Sequence, residues 1–147
     1  GKQYDIRSFK VAKFSTGCAG VEVPNIGCVY ELPSFSPIKA GSEEMDKWDS
    51  KWNKTRYADR DNYWSGAKKA CDDIGMSLPN VSKLRSIYQA GKKDSSLGLP
   101  TSGTFWSSSE GLAHSAYLGG FSDKCRGGCE TYADKNYGYG KVLCVGD

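Results

Sequence analysis

Apolar positions change their spacing twice along this chain of 147 residues. In the first forty residues the spacing is that of strands: Tyr4 and Ile6, then Phe9 and Val11, in "YDIRSFKVAKF", and a second extended run, "GCVYELP", that stops at Pro33. In "DNYWSGAKKACDDIG" it turns helical, with Trp64, Ala67, Cys71 and Ile74 recurring every three or four residues. Asp61 or Asn62 can cap this helix, and Gly75 ends it. Asn80 opens a second helix, "VSKLRSIYQA", which turns Leu84, Ile87 and Tyr88 inward and terminates at Gly91; the "SLP" between the two is a rigid turn. Beyond the Gly/Ser/Pro-rich "KKDSSLGLPTSG", short extended pieces return in "TFWSSSE", "SAYLGGF", "ETYADKNYGYG" and "KVLCVG", which predict a small antiparallel sheet. The polar stretch "SPIKAGSEEMDKWDSKWNKTRYADRD" fits either one amphipathic helical turn or a loop pinned by Trp48 and Trp52.

A chain of this length suits one domain and can bury roughly 68–70% of its unfolded surface. Plentiful aromatics, 18 glycines and no long apolar run describe a soluble fold rich in turns. No segment is long enough to span a bilayer, so membrane insertion by these residues is not expected. The net charge of +3 is spread over scattered lysines with short doublets such as Lys68-Lys69 and Lys92-Lys93, a solvated surface and not a phosphate-binding patch, so no nucleic-acid partner is expected. The opening "GKQYDIRSFK" has no apolar signal-peptide core.

Six cysteines stand at 18, 28, 71, 125, 129 and 144. Zinc needs CxxC or Cys/His pairs, and the chain offers only Cys125 and Cys129 in "CRGGC" with a single histidine, His114, so no metal is expected. Disulfides in an oxidising compartment fit better, and place the protein outside the cell or at its surface. Cys18 and Cys28 bracket "AGVEVPNIG", whose Pro and Gly make a turn, so a local bridge closes that loop. The other four cysteines can pair in several ways.

The order "CDDIGMSLPNVSKLRSIY", "GTFWSSSEG", "AY", "F", a lysine and a closing "VLCVGD" resembles the C-type-lectin-like domains of bacterial surface and pilin-like proteins. It is also similar to the variable proteins of diversity-generating retroelements. The resemblance covers residues 61–147 as the core, with residues 1–60 adding strands and loops to the same domain. It implies an α+β, C-type-lectin-like fold in which two helices flank a small twisted antiparallel sheet, stapled by disulfides. It further implies a bridge from Cys71 to Cys144, which leaves Cys125 with Cys129. It carries no cofactor. The "EPN" or "QPD" loop and the "WND" of calcium lectins are missing, and the cysteines that related formylglycine-generating enzymes use with copper have bridge partners here.

Candidate chemistry changes this picture little. In "GTFWSSSEG" the elbow G-x-S-x-G is absent, so the serines read as small strand residues that satisfy neighbouring backbone, with Phe105 and Trp106 on opposite faces and one of them in the core. No catalysis is expected. Glu43/Glu44 and Asp72/Asp73 read as solvated pairs. Recognition is the better reading of two tracts. "YADKNYGYG" has the Tyr, Gly and Asn content of adaptable binding surfaces. "GLAHSAYLGGFSD", residues 111–123, lacks Lys, Glu, Gln, Met and Trp, as the resemblance to retroelement variable proteins, with their adenine-mutagenised codons, would require. The expected binding face is Ser108, Gly111, Leu112, His114, Leu118, Gly120, Arg126, Tyr132, Asn136, Tyr137 and Tyr139, exposed on one side and supported from below by Trp106, Tyr117, Phe121 and Val142. Its partner is a protein or glycan, and a preceding pilin-like helix is the form of anchorage that the resemblance implies. A pilin-like filament subunit is the alternative.

Overall fold

The polar stretch with two tryptophans folds as helix, not loop. In the computed structural model, which describes residues 13–14, 17–125 and 129–146, helix α1 spans Glu43–Asp49 and continues as a 3₁₀ turn over Ser50–Lys54. Trp52 is fully buried against Met45 and Ile38, and its indole N–H donates to the Arg60 carbonyl at 2.9 Å, while Trp48 is only partly covered.

Helix α2 spans Tyr63–Asp73 and takes Asn62 as its cap: the Asn62 side chain accepts from the Ser65 N–H at 2.8 Å. Asp61 is occupied elsewhere, accepting from the Ala40 N–H and the Lys39 ammonium. Gly75, at φ +75°, ends the helix as expected. Helix α3 spans Val81–Lys93 from its Asn80 cap. Gly91 does not terminate it. The residue is buried inside the helix, where a Cβ would lie 3.1 Å from the Leu99 Cβ, so the missing side chain serves packing.

All strand pairing between named strands is antiparallel. Strands β1 (Lys13–Phe14) and β2 (Gly17–Cys18) form a short ribbon. Strands β3 (Val21–Val23), β4 (Gly27–Glu31) and β8 (Leu143–Gly146) make one sheet in the order β3-β4-β8. Strands β5 (Gly103–Glu110), β6 (Ser115–Phe121) and β7 (Cys129–Asp134) make another, in the order β5-β6-β7. The single sheet expected is thus two, linked by the chain after β7: the Lys141 backbone pairs with Thr104 and Trp106 of β5, and the next residues pair with β4. The expected strand at Tyr4, Ile6, Phe9 and Val11 lies outside the described residues.

Helices cover both faces of β5 and β6. On one face Trp106, Ala116 and Leu118 pack with Trp64, Ala67 and Cys71 of α2; on the other Phe105 and Phe121 pack with Leu84, Ile87 and Tyr88 of α3. Phe105 and Trp106 do point to opposite faces, but both are fully buried, not one. Burial of each such side chain is worth about 1.5–3 kcal/mol. Bridges Cys18–Cys28 and Cys71–Cys144 are both formed. Cys129 is also disulfide-bonded, and the side chain of Cys125 lies outside the described residues.

Candidate functional site

The β5–β6 hairpin is built by its serines. The buried Ser107 hydroxyl donates to the Tyr117 carbonyl at 2.7 Å and accepts from the Ser109 N–H at 3.1 Å, beside a register shift between Trp106 and Glu110. The Ser115 hydroxyl accepts from the Leu112 N–H, and the Gly111 N–H donates to the Ser115 carbonyl, closing the tip. The His114 imidazole lies 5.5 Å from the Tyr57 ring centroid and 3.8 Å from Asp134.

At the tip, Leu112 is 66% exposed, and Ser108 and Gly111 are exposed as well. Ser108 borders an open depression of about 260 Å³ shared with Pro79, Asn80 and Lys83. Tyr132, Tyr137 and Tyr139 are exposed; His114, Gly120 and Asn136 are partly so. Arg126 lies outside the described residues. Leu118 is the correction: it is 1% exposed, in the α2-side core. Strand alternation puts it on the face of Ala116, two residues before, and that face packs against α2.

The face is also not single. Tyr117, expected beneath the site, is partly exposed and meets its register partner Tyr132 edge-on at 6.0 Å, on the α3 side of the sheet. Tyr137 and Tyr139 pair at 5.6 Å, and Tyr137 also meets the buried Trp106 on the α2 side. Gly140 seals the Trp106 indole; a Cβ there would fall 2.4 Å from its Nε1 in the unrelaxed geometry, which has no hydrogen-bond partner among the described residues.

Neither a family model, a curated protein nor a solved structure matches the chain.

A second constellation lies beneath the hairpin. Lys135, just after β7, is fully buried, and its ammonium donates to Asp49 Oδ2 at 2.8 Å, Glu110 Oε2 at 2.6 Å and the Ala113 carbonyl at 2.9 Å. It also stands 4.4 Å from the centroid of Trp64. Its backbone is held as firmly: the Lys135 N–H donates to the His114 carbonyl, and its own carbonyl accepts from the Tyr63 N–H at 2.7 Å. Asp49 Oδ2 accepts in addition from Asn62 Nδ2 at 3.0 Å. Glu110 reaches outward to Lys51 at 2.6 Å. Burial pushes the Glu110 carboxyl up, but hydrogen bonds from Lys135 and Lys51 outweigh it and hold the group below its ordinary 4.5. Lys68, 3.6 Å over the same Trp64 ring, is pushed below its ordinary value by burial, which the charge of Asp49 offsets only in part.

Sequence reasoning missed this cluster. Asp49 is 86 residues from Lys135 and Glu110 is 25 away, so no local spacing announces them. Cys18, Glu22 and Cys28 bring three potential metal-ligand atoms within 4.8 Å, but both sulfurs are committed to their disulfide and offer no thiolate pair.

Proposed function

We propose that the chain is a recognition module, displayed outside the cell or at its surface, whose C-type-lectin-like arrangement presents residues between Ser108 and Tyr139 to a protein or glycan. One observation carries this reading: among the described residues the exposed large hydrophobics, Leu112, Tyr132, Tyr137 and Tyr139, all fall in that segment. Such rings offer an apolar plate and a polar tip at small entropic cost, which suits stacking on a sugar ring or a peptide. Oxidised cysteines support an oxidising compartment. Diversification of the retroelement type is confined, on this reading, to Leu112, His114 and the tyrosines, because exchange at Leu118 would disturb the core.

The test is a pair of arrays, one of glycans and one of cell-surface proteins, probed with the wild type and with Leu112→Ala/Tyr132→Ala/Tyr139→Ala. A specific signal that the triple variant loses while keeping its melting temperature is the expected result. Silence on both arrays, or a signal that the variant keeps, overturns the reading.

A further inference from the structure

We propose that Lys135 and Asn62 are a site of spontaneous covalent modification, joined by an amide between the lysine Nζ and the asparagine Cγ, with Asp49 moving the protons. The amine and the carboxamide meet at one carboxylate. A single oxygen, Asp49 Oδ2, accepts from the Lys135 amine at 2.8 Å and from the Asn62 amide nitrogen at 3.0 Å. All three groups are shut away from water: Lys135 and Asn62 are fully buried, and the Asp49 side chain is 1% exposed. Holding nucleophile and acceptor in one place replaces an encounter with a positioned reaction.

Backbone contacts keep both partners there. The Tyr63 N–H, next along the chain from Asn62, donates to the Lys135 carbonyl, and Asn62 exchanges two backbone hydrogen bonds with Ile38. The Asn62 Oδ1 accepts from the Ser65 N–H at the start of α2, which polarises the carbonyl that must be attacked and stabilises negative charge on its oxygen.

The step balances without any further reactant. The Lys135 ammonium passes one proton to Asp49 along the 2.8 Å hydrogen bond between them. The free amine then attacks the Asn62 Cγ. Asp49 returns its proton to Nδ2 as the C–Nδ2 bond breaks, and the second proton shed by Nζ passes through the same carboxylate to the departing ammonia, which leaves as ammonium. A secondary amide remains. Asn62 is the acceptor rather than either carboxylate, since a carboxylate anion is a poor electrophile and Glu110 is further pinned in that form by Lys51.

Intact mass of the purified full chain, denatured and with its disulfides reduced, tests this directly. The expected mass is that of the sequence less one ammonia, with a single cross-linked peptide pair mapping to Asn62 and Lys135. Asp49→Asn removes the proton carrier while keeping the size of the side chain, and is expected to restore the full mass; Lys135→Met does the same. Should either variant fail to fold, the wild-type mass alone decides. A wild-type chain at its full sequence mass overturns the proposal, as does an ammonia lost elsewhere or a loss of water mapping to Asp49 or Glu110.

Discussion

Leu112 and Leu118 belong to one hairpin, yet one is 66% exposed and the other 1%. Leu118→Ala is therefore expected to cost about 2–5 kcal/mol, whereas Leu112→Ala stays within about 0.5 kcal/mol, as read from urea unfolding. Alternation alone misplaces Leu118: taking Tyr117 as the inward support turns its neighbour outward, whereas helices cover both faces of β6. Lys135 was not legible, because its burial depends on partners that only the tertiary fold brings together. At Tyr88, the hydrogen bond to Asp123, helped by burial, pushes the phenol up to about 12 from its ordinary 10.0. A raised value means that the contact contributes fully below about pH 10 and is lost as pH climbs through about 12. The same hydrogen bond, with one from Lys92, holds Asp123 below its ordinary 3.8, so that contribution is present above 3.8 and lost on further acidification. Absorbance titration should show a tyrosinate step near 12 that Tyr88→Phe lacks.

Helices α2 and α3 were legible as elements because apolar spacing and cap agree within each of them, although the stop read at Gly91 lies inside α3. What spacing cannot tell is why a glycine sits where it does. Gly66 is buried in the interior of α2, and a Cβ there would fall 2.2 Å from the Ser36 carbonyl oxygen. In an open helix Gly→Ala gains about 0.5–1 kcal/mol. Here the helix lies directly on the backbone of Ser36 and Pro37, so Gly66→Ala is expected to lower stability by about 1–3 kcal/mol. Thermal melting reads the sign, and a stabilised variant would show that the 34–37 segment yields freely. Helix α1 escaped a firm reading because its sequence is polar nearly throughout, and one of its inward residues, Asp49, meets a partner far along the chain.

At the scale of the molecule, the Cys71–Cys144 bridge closes a separation of 73 residues and Cys18–Cys28 one of 10. Chain entropy assigns about 4 kcal/mol to the first and about 3 kcal/mol to the second. Replacing both cysteines of a bridge by Ala should lower the urea midpoint more for the longer one; the reverse order would mean that strain or packing outweighs loop closure. The α+β class could be read from the order of elements, but the second sheet could not, since strands β4 and β8 come from opposite ends of the described chain and pair Tyr30 with Cys144. That pairing governs the timing of synthesis. While the ribosome is still short of Leu143, β4 lacks its last neighbour and Cys71 its sulfur partner, although α2 and α3 have long been made. Contacts so distant in sequence form slowly, and an unpaired edge invites other chains. A message cut before Leu143 yields a chain with an open sheet edge and an unmatched thiol, the form most exposed to mispairing and aggregation.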